Sequence, residues 1–447
     1  LISLDPGNLY FIEGAKELLD EPGEWWADPD TNTIYMIPLP GDALDTPSVV
    51  PALGELLHIG SGANDSTPVS NITFEGISFQ HARWWFPEVP APGAKAAGFM
   101  QAAAGAPGAI VVENANHIRF DQCTISNVEA YGIELRGGCT DNRISRCTIT
   151  GLGAGGIKIG QTSINQGPQR TGDNSIEDCT ITNGGHLHHQ AVGIWIGQSD
   201  HNTITHNRVA EFDYTGISIG WTWGYGPSAA GGNVVEWNDV GFLGKRPGNA
   251  QAPLGDMGGI YTLGAQPGTI IKNNYFHDIA GHTIAWGIYF DEGSTDIVAE
   301  NNIVLSTSHG AFHQHYGKNN IVRGNLLMNG KEPQLWRTRR EEHNSFTFEN
   351  NIVVGEERLW HNGDWTSGFT LRHNLYWQSK TAQVPFPGKR TLAEWQAAGW
   401  DVDSVVADPK INLADPLHPT FGENADAQAM KWALPDLRGV GPRARGR

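Results

Sequence analysis

The sequence predicts an all-β fold: a right-handed parallel β-helix, or solenoid, with a partial N-terminal β subdomain. Three observations lead to it. A strand–turn phrase recurs at Cys123, Cys147 and Cys179 and continues at Asn207, Asn238, Asn274, Asn302, Asn325, Asn351 and Asn374, at intervals of 23 to 36 residues. That is the length of one solenoid coil. A Gly-Ile phrase lies between those positions, at Gly132-Ile133, Gly156-Ile157, Gly193-Ile194, Gly216-Ile217, Gly259-Ile260 and Gly287-Ile288. Finally, β-branched residues alternate between Gly and Asn punctuation, so each coil has an apolar face to bury against the next. The right hand follows from the bias of parallel crossovers.

Residues 1–50 lack the coil phrase. Within them Glu24–Asp28, the turn Pro29-Asp30-Thr31-Asn32 and Thr33–Ile37 predict a β-hairpin, the remnant of a small β subdomain. Residues 51–385 form the predicted β-helix domain, clearest from about 70 to 377. Its first coil text, Ile72–Phe79, is comparable to Ile118–Ile125. Insertions at 81–108, 161–173, 186–190, 221–232 and 244–255 flank the Gly-Ile strands, so one side carries most of the decoration. Thr391–Gly399 predicts a short amphipathic helix, and the Pro-rich tail, 386–447, is expected to wrap or cap the coils.

With 39% hydrophobic and 17% charged residues, 56 Gly and 25 Pro, the composition suits a turn-rich β protein. No apolar run reaches the ~18 residues of a transmembrane helix. A soluble chain with no membrane partner is expected, secreted or periplasmic, its signal removed before Leu1. The net charge of −18 excludes nucleic acid as a partner. Cys123, Cys147 and Cys179 share one coil phase and are expected to stack inward without a disulfide. No metal and no cofactor are expected, because His186, His188, His189, His282, His309, His313 and His315 are scattered over loops rather than gathered into a ligand set.

In each Gly-Ile phrase the Ile faces the core and the next residue faces out. The outward row reads Glu134, Lys158, Trp195, Ser218, Tyr261, Tyr289 and Phe312, and two positions on it reads Arg136, Gly160, Gly197, Gly220, Leu263, Asp291 and Gln314. Trp195, Tyr261 and Tyr289 would offer flat apolar faces to sugar rings. Asp256 on one coil and Asp291 with Glu292 on the next are the candidate catalytic carboxylates, one kept protonated as general acid and the other ionised. Asp256 precedes its Gly-Ile pair while Asp291 follows, an offset of up to ~20 Å in extended chain, so the backbone must bend for the two to meet. Asp213 is the alternative partner. His282, His313, His315 and Arg340 are candidate substrate contacts.

On these residues the chain resembles right-handed parallel β-helix glycoside hydrolases, most closely glycoside hydrolase family 141 and more distantly families 120 and 110. The resemblance is carried by Glu17–Trp25, by His81–Trp84 with Gln101-Ala102, by Gly151–Ile157, by Asp256–Gly264 and by Gly287–Ser294. Trp395-Gln396 and Ala407–Pro409 in the tail also match. It implies hydrolysis of plant or microbial glycans, with α-L-fucosidase and xylanase activities among the possibilities, and it places the two acids on Asp256 and Asp291. The expected partner is an oligo- or polysaccharide, bound by a monomer. Two rivals share the fold: a polysaccharide lyase, for which the outward rows offer only Lys158 and Arg136 as bases, and a non-catalytic glycan-binding or adhesion β-helix.

Overall fold

The computed structural model describes residues 14–28, 30–43, 45, 48–60, 67–83, 101–244, 254–281, 283–381 and 383–444. The chain divides into two units, residues 1–52 with 86–97 and residues 53–85 with 98–447. In the first, Trp25–Asp28 pairs antiparallel with Thr33–Met36, from Trp25 against Met36 to Asp28 against Thr33. This is the hairpin the sequence predicts. Asn32 closes its turn with φ +52°, a left-handed conformation that Asn tolerates.

The second unit is a right-handed parallel β-helix. Among the described residues, three parallel sheets of twelve, ten and eleven strands make its faces, and a typical coil passes through Arg143–Ser145, Thr148–Leu152 and Ile157–Ile159, one strand per sheet. Register keeps like on like. Ile157, Ile194, Ile217, Ile260, Ile288, Phe312 and Leu335 pair in succession across the ten-stranded sheet, and all are buried. Each neighbour along this column supplies the apolar contact that a single coil lacks.

The corner between the eleven- and twelve-stranded sheets explains the Cys and Asn phrase. Its residues are buried, where an unpaired backbone group is costly. The Asn207 side-chain Nδ2 donates to Asn238 Oδ1 at 3.0 Å and to the Ile176 carbonyl at 2.9 Å, and the same pattern repeats through Asn274, Asn302, Asn325 and Asn351 to Asn374. Cys179 enters this ladder by donating its backbone N–H to Asn207 Oδ1 at 2.9 Å. All four cysteines are free and buried. The residue before each ladder position lies in the left-handed region, including Arg146 (φ +53°) and Trp237 (φ +56°), so the turn geometry prevails over side-chain preference. A second, shorter ladder links Asn142, Asn174, Asn202 and Asn233 at another corner.

The long ladder ends where Asn374 Nδ2 donates to Asp401, whose buried carboxylate also accepts from Tyr376, Trp395 and Ser404. Burial raises the Asp401 pKa. Trp395 belongs to the helix Leu392–Ala397, which begins in a Thr391–Glu394 capping box. Beyond it the tail runs back along the coils: the Trp432 Nε1 donates to the His373 carbonyl, the Gly441 N–H to that of Trp237, and Arg443 pairs with Asp178 at 2.6 Å. Among the described residues no helix is long and apolar enough to cross a membrane.

Candidate functional site

The strands Met257–Thr262 and Ala285–Phe290 are six residues long, whereas Ile157–Ile159, Ile194–Ile196, Ile217–Ile219, Phe312–Gln314 and Leu335–Arg337 in the same sheet have three. The sheet is widest at these two coils. Its outward row reads Trp195, Ser218, Tyr261, Tyr289, His313 and Trp336. This corrects the expected row at its last coil. Phe312 pairs with Ile288 and Gln314 with Phe290, both inward and buried, because Gly310-Ala311-Phe312 holds one more residue between Gly and the core position than Gly287-Ile288 does. His313 therefore follows Tyr289, and His315 falls beside Asp291.

A cavity of about 390 Å³ opens over this row, near the lower end of the ~300–1,000 Å³ usual for small-ligand sites. Asp256, Tyr261, Tyr289, Asp291, Glu292, His313 and His315 all line it, together with Gln101, Trp223, Ile284, Trp286, Trp336 and Thr338. Trp336 was open to sequence reasoning, since it continues the outward row one coil beyond His313. Gln101 and Trp223 belong to insertions, where no period points to a face.

The bend that the two acids require lies at the start of Met257–Thr262. Asp256 has φ +56°, and its backbone carbonyl accepts from the Tyr214 hydroxyl at 2.8 Å, which in turn accepts from the Gln101 amide at 3.1 Å. A Cβ at Gly258 would stand 2.6 Å from the Ile260 carbonyl oxygen and 3.2 Å from Tyr289 Cβ, so only glycine admits this backbone beside Tyr289. The Tyr289 hydroxyl then reaches Asp256 Oδ1 at 2.9 Å. In the opposite sense the Tyr261 hydroxyl donates to Asp291 Oδ2. Each carboxylate is held by the tyrosine of the other's coil.

Tyr261 and Tyr289 do not present open faces, contrary to expectation. They are 1% and 3% exposed. His313 stacks on Tyr289 at 4.7 Å, Trp286 leans on it at 4.5 Å, and the two tyrosines meet edge to face at 4.9 Å. Burial, followed by the charge of Asp291, holds both hydroxyls protonated far above the usual phenol range. They are fixed donors.

Burial raises the pKa of both acids. For Asp256, which keeps solvent access while the cavity wall crowds its carboxyl, the Tyr289 hydrogen bond and the nearby His315 oppose the rise. For Asp291, buried, the Tyr261 hydrogen bond opposes it and the charge of Asp256 adds to it. Glu292 accepts from the Tyr316 hydroxyl at 2.8 Å. The Thr338 hydroxyl sits between His313 Nε2 (3.0 Å) and His315 Nδ1 (2.6 Å), and burial pushes His313 well below the usual imidazole range, so its ring is neutral. Among the described residues His313 Nδ1 and Trp286 Nε1, on rings 4.1 Å apart, have no hydrogen-bond partner.

The remaining candidates lie elsewhere. Trp195 is buried and covered by Trp221, with ring centroids 5.3 Å apart, and does not line the cavity. Arg340 is exposed beside Asp364 and Thr366, also outside it, whereas Arg337, three residues earlier, is buried. Asp213 is buried with its carboxylate 2.7 Å from His189 Nδ1. His282 lies outside the described residues, as do 84–100 and 245–253 of the insertions that flank the Gly-Ile strands. Among the described residues no group of three His, Cys, Asp or Glu is placed to hold a metal ion.

Comparison with solved structures finds several similar chains. A glycoside hydrolase is 23% identical with a TM-score of 0.56, over 72% of this chain and 57% of its own. XylC, in complex with xylose, is 15% identical with a TM-score of 0.44, over 78% and 55%. The alginate lyase AlyF-OU02, in complex with G6, is 11% identical with a TM-score of 0.43, over 87% and 90%. The chain thus spans little more than half the length of the first two. No curated protein matches the sequence. Residues 108–240 and 249–375, more than half of the chain, match the family described as "Right handed beta helix region", and with the coil register seen here the chain belongs to the right-handed β-helix family.

Proposed function

We propose that the protein is a glycoside hydrolase in which Asp256 and Asp291 act on one glycosidic bond, as the resemblance to family 141 implies. The observation that carries this reading is the crossed arrangement of Tyr289 on Asp256 and Tyr261 on Asp291 at the wall of one aromatic cavity. Two carboxyls that share a cavity and resist ionisation supply the acid and the base that glycoside cleavage needs. Asp291, the more buried and the one raised further by its partner's charge, is the general acid. Asp256, open to solvent, is the ionised nucleophile or base. Trp336, half-buried at the cavity wall, offers its indole to the ring C–H groups, and His315 and Thr338, which keep solvent access on the same wall, offer polar atoms to sugar hydroxyls. Glu292 stands beside them as the substitute acid.

A lyase reading has less support. Lys158, the nearest buried amine of the outward row, is bound to Glu134 at 2.8 Å and to the carbonyls of Ala104 and Ala106, and Arg136 pairs with Glu134 at 2.9 Å. The test is a glycan-library screen, with fucosides and xylans included, for released reducing sugar. Products with unsaturated, ultraviolet-absorbing ends would establish a lyase, and binding without any product would establish an adhesion module.

A further inference from the structure

Three tryptophans form a line from the outer face of the sheet to the cavity. Trp195, buried, meets Trp221 edge to face at 5.3 Å and 81°, and Trp221, also buried, meets Trp223 at 4.8 Å and 76°. Trp223 lines the cavity and is 45% exposed. Leaving so large an apolar side chain in water forgoes hydrophobic stabilisation, yet the loop that carries it is firmly seated. Thr222 Oγ1 donates to the Pro227 carbonyl at 2.9 Å and accepts from the Gln198 amide at 2.9 Å. Gly224, at φ +93°, donates its N–H to the Glu292 carbonyl. A Cβ on Gly293 would fall 2.0 Å from the Gly224 carbonyl oxygen, so the loop touches the strand end just past Asp291 and Glu292 through two glycines.

We propose that Trp223 is a sugar-stacking platform for a unit of the glycan beyond the one held at the acids, and that Trp221 and Trp195 are positioning residues that hold its indole in place. The proposal rests on the hydrolase reading for the location of the scissile bond. An indole fixed before binding loses little side-chain entropy when a ring settles on it, and its face suits the C–H side of a pyranose. The glycan is neutral along this path, because the carboxylates of Asp256 and Glu292 face it and a uronate would meet like charge. The substrate is therefore a neutral oligosaccharide or polysaccharide rather than a single glycoside.

The experiment titrates the intrinsic tryptophan fluorescence of the intact protein with xylo-, cello- and arabino-oligosaccharides of graded length, and with oligogalacturonates as the charged control. In the unaltered protein the affinity for one neutral series rises with length by about tenfold, ~1.4 kcal/mol. In Trp223→Ala this rise flattens to within about twofold, while Trp223→Tyr keeps part of it. Equal length dependence in Trp223→Ala, preference for the uronates, or absence of binding by every neutral series overturns the proposal. Length-dependent binding through Trp223 without hydrolysis rejects the hydrolase reading and leaves the platform standing. Hydrolysis indifferent to Trp223 does the reverse.

Discussion

The Tyr289 hydroxyl donates to Asp256 Oδ1 at 2.9 Å, reaching from the coil of Asp291 back to the coil before it. Tyr261 makes the converse bond to Asp291. The two acids are thereby coupled through neighbouring tyrosines as well as through their own charge. A change at one tyrosine is felt at the opposite acid, which makes the pH–rate profile the most direct probe of the site.

Tyr289→Phe removes the hydrogen bond that favours ionised Asp256. A hydrogen bond to a charged group contributes ~1.5–3 kcal/mol, and one pH unit corresponds to ~1.4 kcal/mol. The acidic limb of the rate profile is expected to move up by about one unit or more, with activity at low pH falling most. An unmoved limb would separate Asp256 from the ionised role.

Asp256→Asn and Asp291→Asn each lower turnover by at least ~10²–10⁴-fold, measured as reducing sugar released. The alkaline limb disappears in Asp291→Asn if that residue is the acid. Near-normal turnover in either variant would remove it from the pair and direct attention to Glu292.

The same variants are expected to stabilise the protein at neutral pH. Both folded-state pKa values lie above the ordinary carboxylate value, so the folded chain binds the protons more tightly than the unfolded chain does. The contribution of each acid to stability is full below the unfolded pKa, ~3.9, and is lost as pH rises through the folded value. Thermal melts should show Asp291→Asn above the unaltered protein at pH 7, the gap closing towards pH 3. A gap that widens on acidification would contradict the raised pKa.

Asn274→Ala removes the Oδ1 that accepts from both the backbone N–H and the side-chain amide of Asn238, and the Nδ2 that donates to the Val235 and Lys272 carbonyls and to Asn302. At ~1–3 kcal/mol per buried group left unpaired, a loss of at least about 2–3 kcal/mol is expected in denaturant unfolding. Cys147→Ala, which removes weaker sulfur contacts, costs about 1 kcal/mol.

Much of this was legible from local text. The ladder from Asn207 to Asn374 and the columns under Gly259-Ile260 and Gly287-Ile288 follow from a coil period and from strand alternation, both properties of a few adjacent residues. The alternation failed at Gly310-Ala311-Phe312, where a single extra residue reversed which side chains face out and hid His313 and His315 from the correct row. Neither the covered faces of Tyr261 and Tyr289 nor the burial of Trp195 could be read from spacing, because His313 comes from the next coil and Trp221 from an insertion, and Trp286 leans onto Tyr289 from three residues earlier in the same strand.

The sequence by itself determined the parallel β-helix, the inward ladders and the adjacent coils of Asp256 and Asp291, since each depends on a repeat that every coil restates, whereas the bend at Asp256 that brings the two acids to one cavity belongs to the tertiary structure. Only the tertiary structure decided which hydroxyl binds which acid, which aromatic faces stay open, and that Trp223 and Gln101 reach the cavity. Those outcomes rest on contacts between residues 24 to 113 positions apart in the chain, where side-chain packing across coils, and not the alternation within one strand, sets what is exposed.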